Sequence, residues 1–110
     1  SLMRGAADQL ANALAKIEVK VPTIPVFHNV DAQTHATGGE IRAALSAQLC
    51  RPVRWTQSVQ ALQADGISQM FECGPGKVLV GLNKRIADGL NSVALEDPAG
   101  LEQAAQSLRT

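Results

Sequence analysis

Residues 71–86 read FECGPGKVLVGLNKRI. An apolar run ends in Gly74-Pro75-Gly76-Lys77, after which Val78, Leu79, Leu82 and Ile86 recur at helical spacing. This is a strand, a glycine turn and a helix in direct succession. Lys84 and Arg85 fall in the last turns of that helix, where they favour its dipole. A strand that feeds a helix cannot return as a tight hairpin, so the stretch predicts an α/β chain with a parallel sheet.

The same logic extends outward in both directions. Upstream, residues 67–73 (ISQMFEC) read as the strand entering the turn. Trp55, Val59 and Leu62 mark a helix before it, ended by Asp65-Gly66, where glycine can take the left-handed position. Ile41, Ala44, Leu45 and Leu49 mark another helix, closed by Pro52. Residues 24–30 (IPVFHNV) read as a short strand, with Pro25 placing it at an edge or at its own start. Leu2, Ala6, Leu10, Leu14 and Ile17 form the stripe of a first helix, stopped by Pro22 and Pro25. Downstream, residues 92–95 (SVAL) give a third strand. Asp97-Pro98 then starts a last helix, with Leu101, Ala104, Ala105 and Leu108 on its face. The expected order is α-β-α-α-β-α-β-α, a parallel sheet flanked by helices. Three strands make a narrow sheet. The chain also opens Ser1-Leu2-Met3-Arg4 with a helical pattern already under way, so it is expected to be a piece of a longer protein.

Composition narrows the partners. The chain has 110 residues, enough for one domain and one core, with 45% hydrophobic and 18% charged residues, as in globular chains. Formal net charge is zero, which gives no footprint for nucleic acid or an acidic membrane. Phe27, Trp55 and Phe71 are the only aromatic residues of the Phe, Trp and Tyr group, too few for a base-stacking platform. Cys50 and Cys73 have no metal or redox spacing and are expected to be small buried hydrophobes in a reducing compartment. No stretch resembles a membrane span or a signal peptide, and a cytoplasmic protein is expected.

The glycine turn invites a phosphate-binding reading, which the spacing weakens. A Walker A loop would need glycine where Phe71 stands and a hydroxyl where Val78 stands. A dinucleotide loop would need a third glycine at Leu79. Phosphate binding by the helix N-terminus alone stays open. The structural alternative is a sharp reversal at the carboxyl end of a strand. Ligands bind at that edge of open α/β sheets, so Gly74, Pro75 and Gly76 are expected to wall a site without supplying its chemistry.

Catalytic chemistry is incomplete in these residues. Ser46, Ser58, Ser68, Ser92 and Ser107 all lack the glycines of a nucleophile elbow. His28 reads as a strand-end side chain bonded locally and His35 as a solvated loop residue; the alternative for each is a general base. Asp31 lies near His28, but nothing else at ligand spacing joins them, so no metal site is expected.

Two stretches together are more specific. Residues 41–55 (IRAALSAQLCRPVRW) resemble the pattern I-R-x-x-L-x-x-Q-L-x-x-P-V-x-W, and residues 72–86 resemble E-x-G-P-G-K-V-L-x-G-L-x-K-R-I. Residues 25–31 (PVFHNVD) are similar to P-V-x-x-N-V-D. All three belong to the bacterial malonyl-CoA:acyl carrier protein transacylases, and the likeness runs over nearly the whole chain. The resemblance implies the C-terminal third of such an enzyme, residues 1–110 forming part of an α/β-hydrolase-like acyltransferase core. The ferredoxin-like subdomain and the nucleophile region would lie outside it.

In that family a serine within G-H-S-L-G attacks the thioester and a histidine in an H-x-x-L-M context takes its proton. Leu2-Met3 match the tail of that context, which places the histidine before Ser1. Gln48 then corresponds to the residue whose main-chain carbonyl orients the histidine, as a carboxylate does in a Ser-His-Asp arrangement. The implied reaction moves malonyl from malonyl-CoA, a substrate, to the thiol of acyl carrier protein, with no cofactor, in fatty acid biosynthesis. The chain by itself is expected to be inactive. Lys77 could approach coenzyme A phosphates or acidic residues of the carrier. His28 departs from the family pattern, which often has a small polar residue there. A non-catalytic module binding an acyl carrier or a phosphate ligand, and an acyltransferase of different acyl preference, are the competing readings.

Overall fold

The computed structural model describes residues 2–109. Its elements are α1 (Arg4–Ala15), α2 (Gly38–Ala47), α3 (Trp55–Ala64), β1 (Gln69–Glu72), α4 (Val78–Ile86), β2 (Asn91–Ala94) and α5 (Pro98–Arg109). They fall into two compact units, residues 1–58 and 59–110, with the division inside α3.

The second unit is built on the glycine turn. Gly74 and Gly76 take φ of +117° and +87°, which only glycine adopts without strain, and the chain reverses between β1 and α4. It returns as β2, parallel to β1, with Gln69 opposite Asn91 and Glu72 opposite Ala94. Buried Asn83 of α4 ties the helix to both strands. Its Nδ2 donates to Ser92 Oγ at 3.1 Å and lies 3.8 Å from Met70 Sδ. Asp97 caps α5, accepting the Gly100 N–H at 2.8 Å, with Pro98 at the first helical position as its fixed φ favours. Gly100 lies so close to the Ala94 carbonyl that any Cβ there would collide with it. Val59, Ala87, Leu90, Val93 and Ala104 are this unit's buried apolar residues.

In the first unit α1 and α2 pack together. Thr37 caps α2 by accepting the Glu40 N–H at 3.1 Å, and Glu40 accepts the Ala36 N–H at 3.0 Å, a reciprocal arrangement close to a capping box. Ala7, Val30, Ile41 and Ala44 are buried. Leu10 and Leu14 are half-buried, whereas Ala6 and Ile17 are exposed, so the apolar stripe of α1 is shorter than its spacing suggests.

Three expectations are corrected. Residues 24–30 form no strand: Ile24 and Val26 are 75% and 49% exposed, and the segment's one ladder contact is an isolated antiparallel bridge between His28 and Gln33. A strand exists through its partner's N–H and C=O groups, and Pro25 lacks an N–H. The described sheet therefore has two strands and the order is α-α-α-β-α-β-α, while the parallel, helix-flanked character stands. Cys50 and Cys73 are exposed and outside any disulfide, because one sits in the turn after α2 and the other just beyond β1. Val78, one of the helically spaced apolar positions read as the face of this helix, is 73% exposed, while Leu79 is half-buried.

Candidate functional site

The residues after Gln48 decide the state of its carbonyl. α2 ends at Ala47, and Gln48 keeps helical dihedrals with its N–H bonded to the Ala44 carbonyl at 3.1 Å. The next two N–H groups close a tighter turn, Leu49 to Ser46 and Cys50 to Ala47. A helical partner for the Gln48 oxygen would be the N–H four residues on, and residue 52 is proline. Among the described residues no backbone N–H is donated to that oxygen. Beyond Pro52 the chain is fixed by Arg54, whose N–H donates to the Asn29 carbonyl at 2.8 Å.

The two helices of this unit run antiparallel. Arg42, early in α2, reaches the end of α1: its Nε donates to the Leu14 carbonyl at 3.0 Å and its Nη2 to the Ile17 carbonyl at 2.6 Å. At the opposite end a cleft of about 270 Å³ is lined by Arg4, Ala7 and Asp8 of α1 and by Ala47, Cys50 and Arg51 at the close of α2. The first turn of α1 therefore stands beside the turn that carries Gln48.

A second constellation lies in the loop after residue 27. His28 is buried, its N–H donates to the Gln33 carbonyl, and Ala32, at φ +56°, returns its N–H to the His28 carbonyl. His35 is half-buried and not a solvated loop residue as its polar surroundings suggested. Its Nε2 lies 2.8 Å from Asp31 Oδ2, and its ring meets His28 edge-on at 5.0 Å between centroids. Asp31 thus partners His35, while its Oδ1 accepts the Gln33 N–H at 3.1 Å. A cavity of about 480 Å³ adjoins this loop, lined by Val30, Asp31, His35, Glu40, Ala44 and Arg51 among others. Both carboxylates in that lining already accept hydrogen bonds from the loop or from the cap of α2, so they serve its architecture. Among the described residues no group of three metal-ligating side chains forms.

In the second unit Gly74, Pro75 and Gly76 occupy the carboxyl end of β1, as the spacing predicts. The N-terminus of α4 is already satisfied in part by protein: Glu72 Oε1 accepts the Val80 N–H at 3.0 Å. Lys77 is 74% exposed, with Glu96 Oε1 at 3.9 Å. A surface ion pair of that kind contributes roughly 0–1 kcal/mol. Arg42 and Glu72 hold structural roles that their sequence neighbourhoods do not announce. The Arg42 partners lie 25 and 28 residues away, beyond any local pattern. The Thr37-x-x-Glu40 spacing, by contrast, is a readable cap signal.

No model of a known protein family matches the chain. Individual relatives do. It is 50% identical over 104 residues to a malonyl CoA-acyl carrier protein transacylase of Salmonella typhimurium, covering 94% of this chain and 34% of that protein. The Bacillus subtilis transacylase is 38% identical over 108 residues, covering 98% of this chain and 34% of that protein. Among solved structures, the malonyl-CoA:acyl carrier protein transacylase of Xanthomonas oryzae superposes with a TM-score of 0.92 at 49% identity, covering 96% of this chain and 34% of that one. A malonyl-transacylase solved in complex with its type II polyketide acyl-carrier protein gives a TM-score of 0.92 at 44% identity, covering 97% of this chain and 35% of that one. The chain spans about a third of the length of the relatives it matches. Over that third, in sequence and in fold, it belongs to the malonyl CoA-acyl carrier protein transacylase family.

Proposed function

We propose that the chain is the C-terminal third of a transacylase that moves malonyl from malonyl-CoA to the thiol of acyl carrier protein through an acyl-serine, in fatty acid biosynthesis in the cytoplasm. Its own contribution to the chemistry is the main-chain carbonyl of Gln48. That oxygen accepts the imidazole N–H of a histidine a few residues before α1, which fixes the tautomer and leaves the other nitrogen to take the serine proton. A carbonyl is neutral, so it orients the ring with less stabilisation of imidazolium than a carboxylate gives.

The observation that carries this reading is the antiparallel hairpin of α1 and α2. It brings the start of α1 beside the residue whose carbonyl Pro52 deprives of a helical partner. A chain entering α1 from a histidine would therefore arrive next to that oxygen. The turn of Gly74, Pro75 and Gly76 is assigned as a wall at the carboxyl edge of the sheet, where open α/β sheets bind ligands. The transfer itself calls for no cofactor.

The test is made on the full-length protein carrying this sequence, given malonyl-CoA and acyl carrier protein. Malonyl-carrier should accumulate by way of a covalent malonyl-enzyme. One alanine inserted between Gln48 and Pro52 should abolish turnover while the protein still binds malonyl-CoA. Absence of transfer by the wild type, or normal turnover by the insertion variant, overturns the assignment.

A further inference from the structure

We infer that Arg42 is a positioning residue for this reaction, acting through α1 on the alignment of the histidine with the Gln48 carbonyl; the inference rests on the function proposed above. The last carbonyls of a helix have no partner within it, and α1 has no basic residue in its own last turn. Arg42 adds side-chain donors from α2 at this end, to the Leu14 carbonyl, which also accepts the Ile17 N–H at 3.3 Å, and to the carbonyl of Ile17, two residues beyond α1. Its guanidinium takes two carbonyls at once, Leu14 at 3.0 Å and Ile17 at 2.6 Å, so it fixes both the height and the rotation of the end of α1. A second pin sits at the same end, where the Val19 carbonyl lies so close to Gly38 that a Cβ there would stand 2.6 Å from it.

The other end of the hairpin is held differently. There α1 and α2 border a cleft at which Ala7 is the buried residue of α1, so packing resists only in part a tilt that begins at the clamp. A helix of 12 residues is about 18 Å long, and a tilt of about 10° about its far end moves its start by about 3 Å. A hydrogen bond to the Gln48 oxygen tolerates only a fraction of that displacement. Arg42 itself touches neither substrate nor imidazole. It sets where the imidazole stands.

The test uses the full-length protein, with Arg42→Met and Arg42→Lys. The fraction of functional sites is read from the burst of malonyl-enzyme, and kcat is expressed per functional site. Arg42→Met is expected to lower kcat per site at least tenfold while KM for malonyl-CoA stays within about twofold. Arg42→Lys, which can reach the carbonyls without the planar fork, should recover part of that loss. A purely structural role would instead lower the burst and leave kcat per site unchanged. That result overturns the inference, as does a rise in KM at constant kcat. If the methionine variant does not fold, the lysine variant decides: a severalfold lower kcat per site at constant KM supports the inference, and a wild-type value overturns it. A wild type with no malonyl-enzyme burst fails the functional reading and this inference together. An active wild type with a normal Arg42→Met fails the inference alone.

Discussion

The carboxylate of Glu72 reaches back across the glycine turn and accepts the N–H of Val80, three residues into α4, at 3.0 Å. One contact thereby links the end of β1 to the start of the helix it feeds. It satisfies a donor that the helix leaves unpaired and sets a negative charge at the positive end of the dipole. It also gives a physical reason for glutamate two residues before Gly74-Pro75-Gly76. Where a phosphate-binding loop would place its ligand, this chain places its own carboxylate.

Glu72→Ala is expected to destabilise the protein by about 1–2 kcal/mol, the usual cost of losing a helix cap. Glu72→Gln should cost less, because an amide oxygen can still accept the Val80 N–H while the charge–dipole attraction is lost. Chemical denaturation of the full-length protein measures both. Equal midpoints for wild type and Glu72→Ala would show that the contact contributes nothing.

Two glycines should resist substitution for different reasons. At Gly76 the obstacle is the backbone: φ is +87° and nothing lies within 4 Å of an added Cβ. Gly76→Ala should therefore cost about 1–2 kcal/mol, the penalty for forcing an L-residue into left-handed space. At Gly100 the obstacle is contact, since a methyl group meets the Ala94 carbonyl and stands 3.2 Å from Asp97 Oδ1. Gly100→Ala must push α5 off the end of β2, at about 1–3 kcal/mol. Gly100→Ser, with a larger group at the same contact, should be at least as damaging as Gly100→Ala, whereas a backbone conflict alone would penalise the two about equally. Melting temperatures of the three variants separate the two mechanisms.

Asn83 couples the layers of the second unit through Ser92. Replacing Asn83 by leucine leaves the Ser92 hydroxyl without that donor and should cost about 1–3 kcal/mol. Ser92→Ala in the same background should cost less than it does in the wild type. The coupling expected from a double-mutant cycle is about 0.5–3 kcal/mol. Strict additivity would mean that the 3.1 Å contact carries no energy of its own.

Local chemistry explains which parts of this fold are legible in the sequence. The stretch around Gly74–Lys77 specifies strand, turn and helix within sixteen residues, and Asp97-Pro98 marks α5 by a cap and a fixed φ. These signals act over one or two turns of chain. Residues 24–30 mislead because their β-branched, alternating character describes a willingness to pair, and pairing depends on a partner the segment does not specify. The partnership of Asp31 with His35 is hidden for a related reason. Their separation of four residues is easily seen, but the left-handed Ala32 that bends the loop and brings them to 2.8 Å is not a residue type that announces such a turn. The role proposed for Gln48 is reachable only by resemblance, because the atom it assigns is a backbone oxygen common to every residue. Pro52, four positions on, makes its role checkable.

That spacing yields the last prediction. If the working group at position 48 is the carbonyl, the glutamine side chain matters only for holding its turn. Gln48→Ala in the full-length protein should then retain substantial transfer activity. Pro52→Ala restores an N–H at the position where a helix would use it to engage the Gln48 oxygen. Competition for that oxygen should lower kcat, with KM for malonyl-CoA little changed, even though alanine is the better helix former. The pair of variants opposes side-chain and main-chain accounts directly, and steady-state kinetics decides between them. Loss of activity in Gln48→Ala, together with normal turnover in Pro52→Ala, would place the function in the side-chain amide and remove the carbonyl from the mechanism.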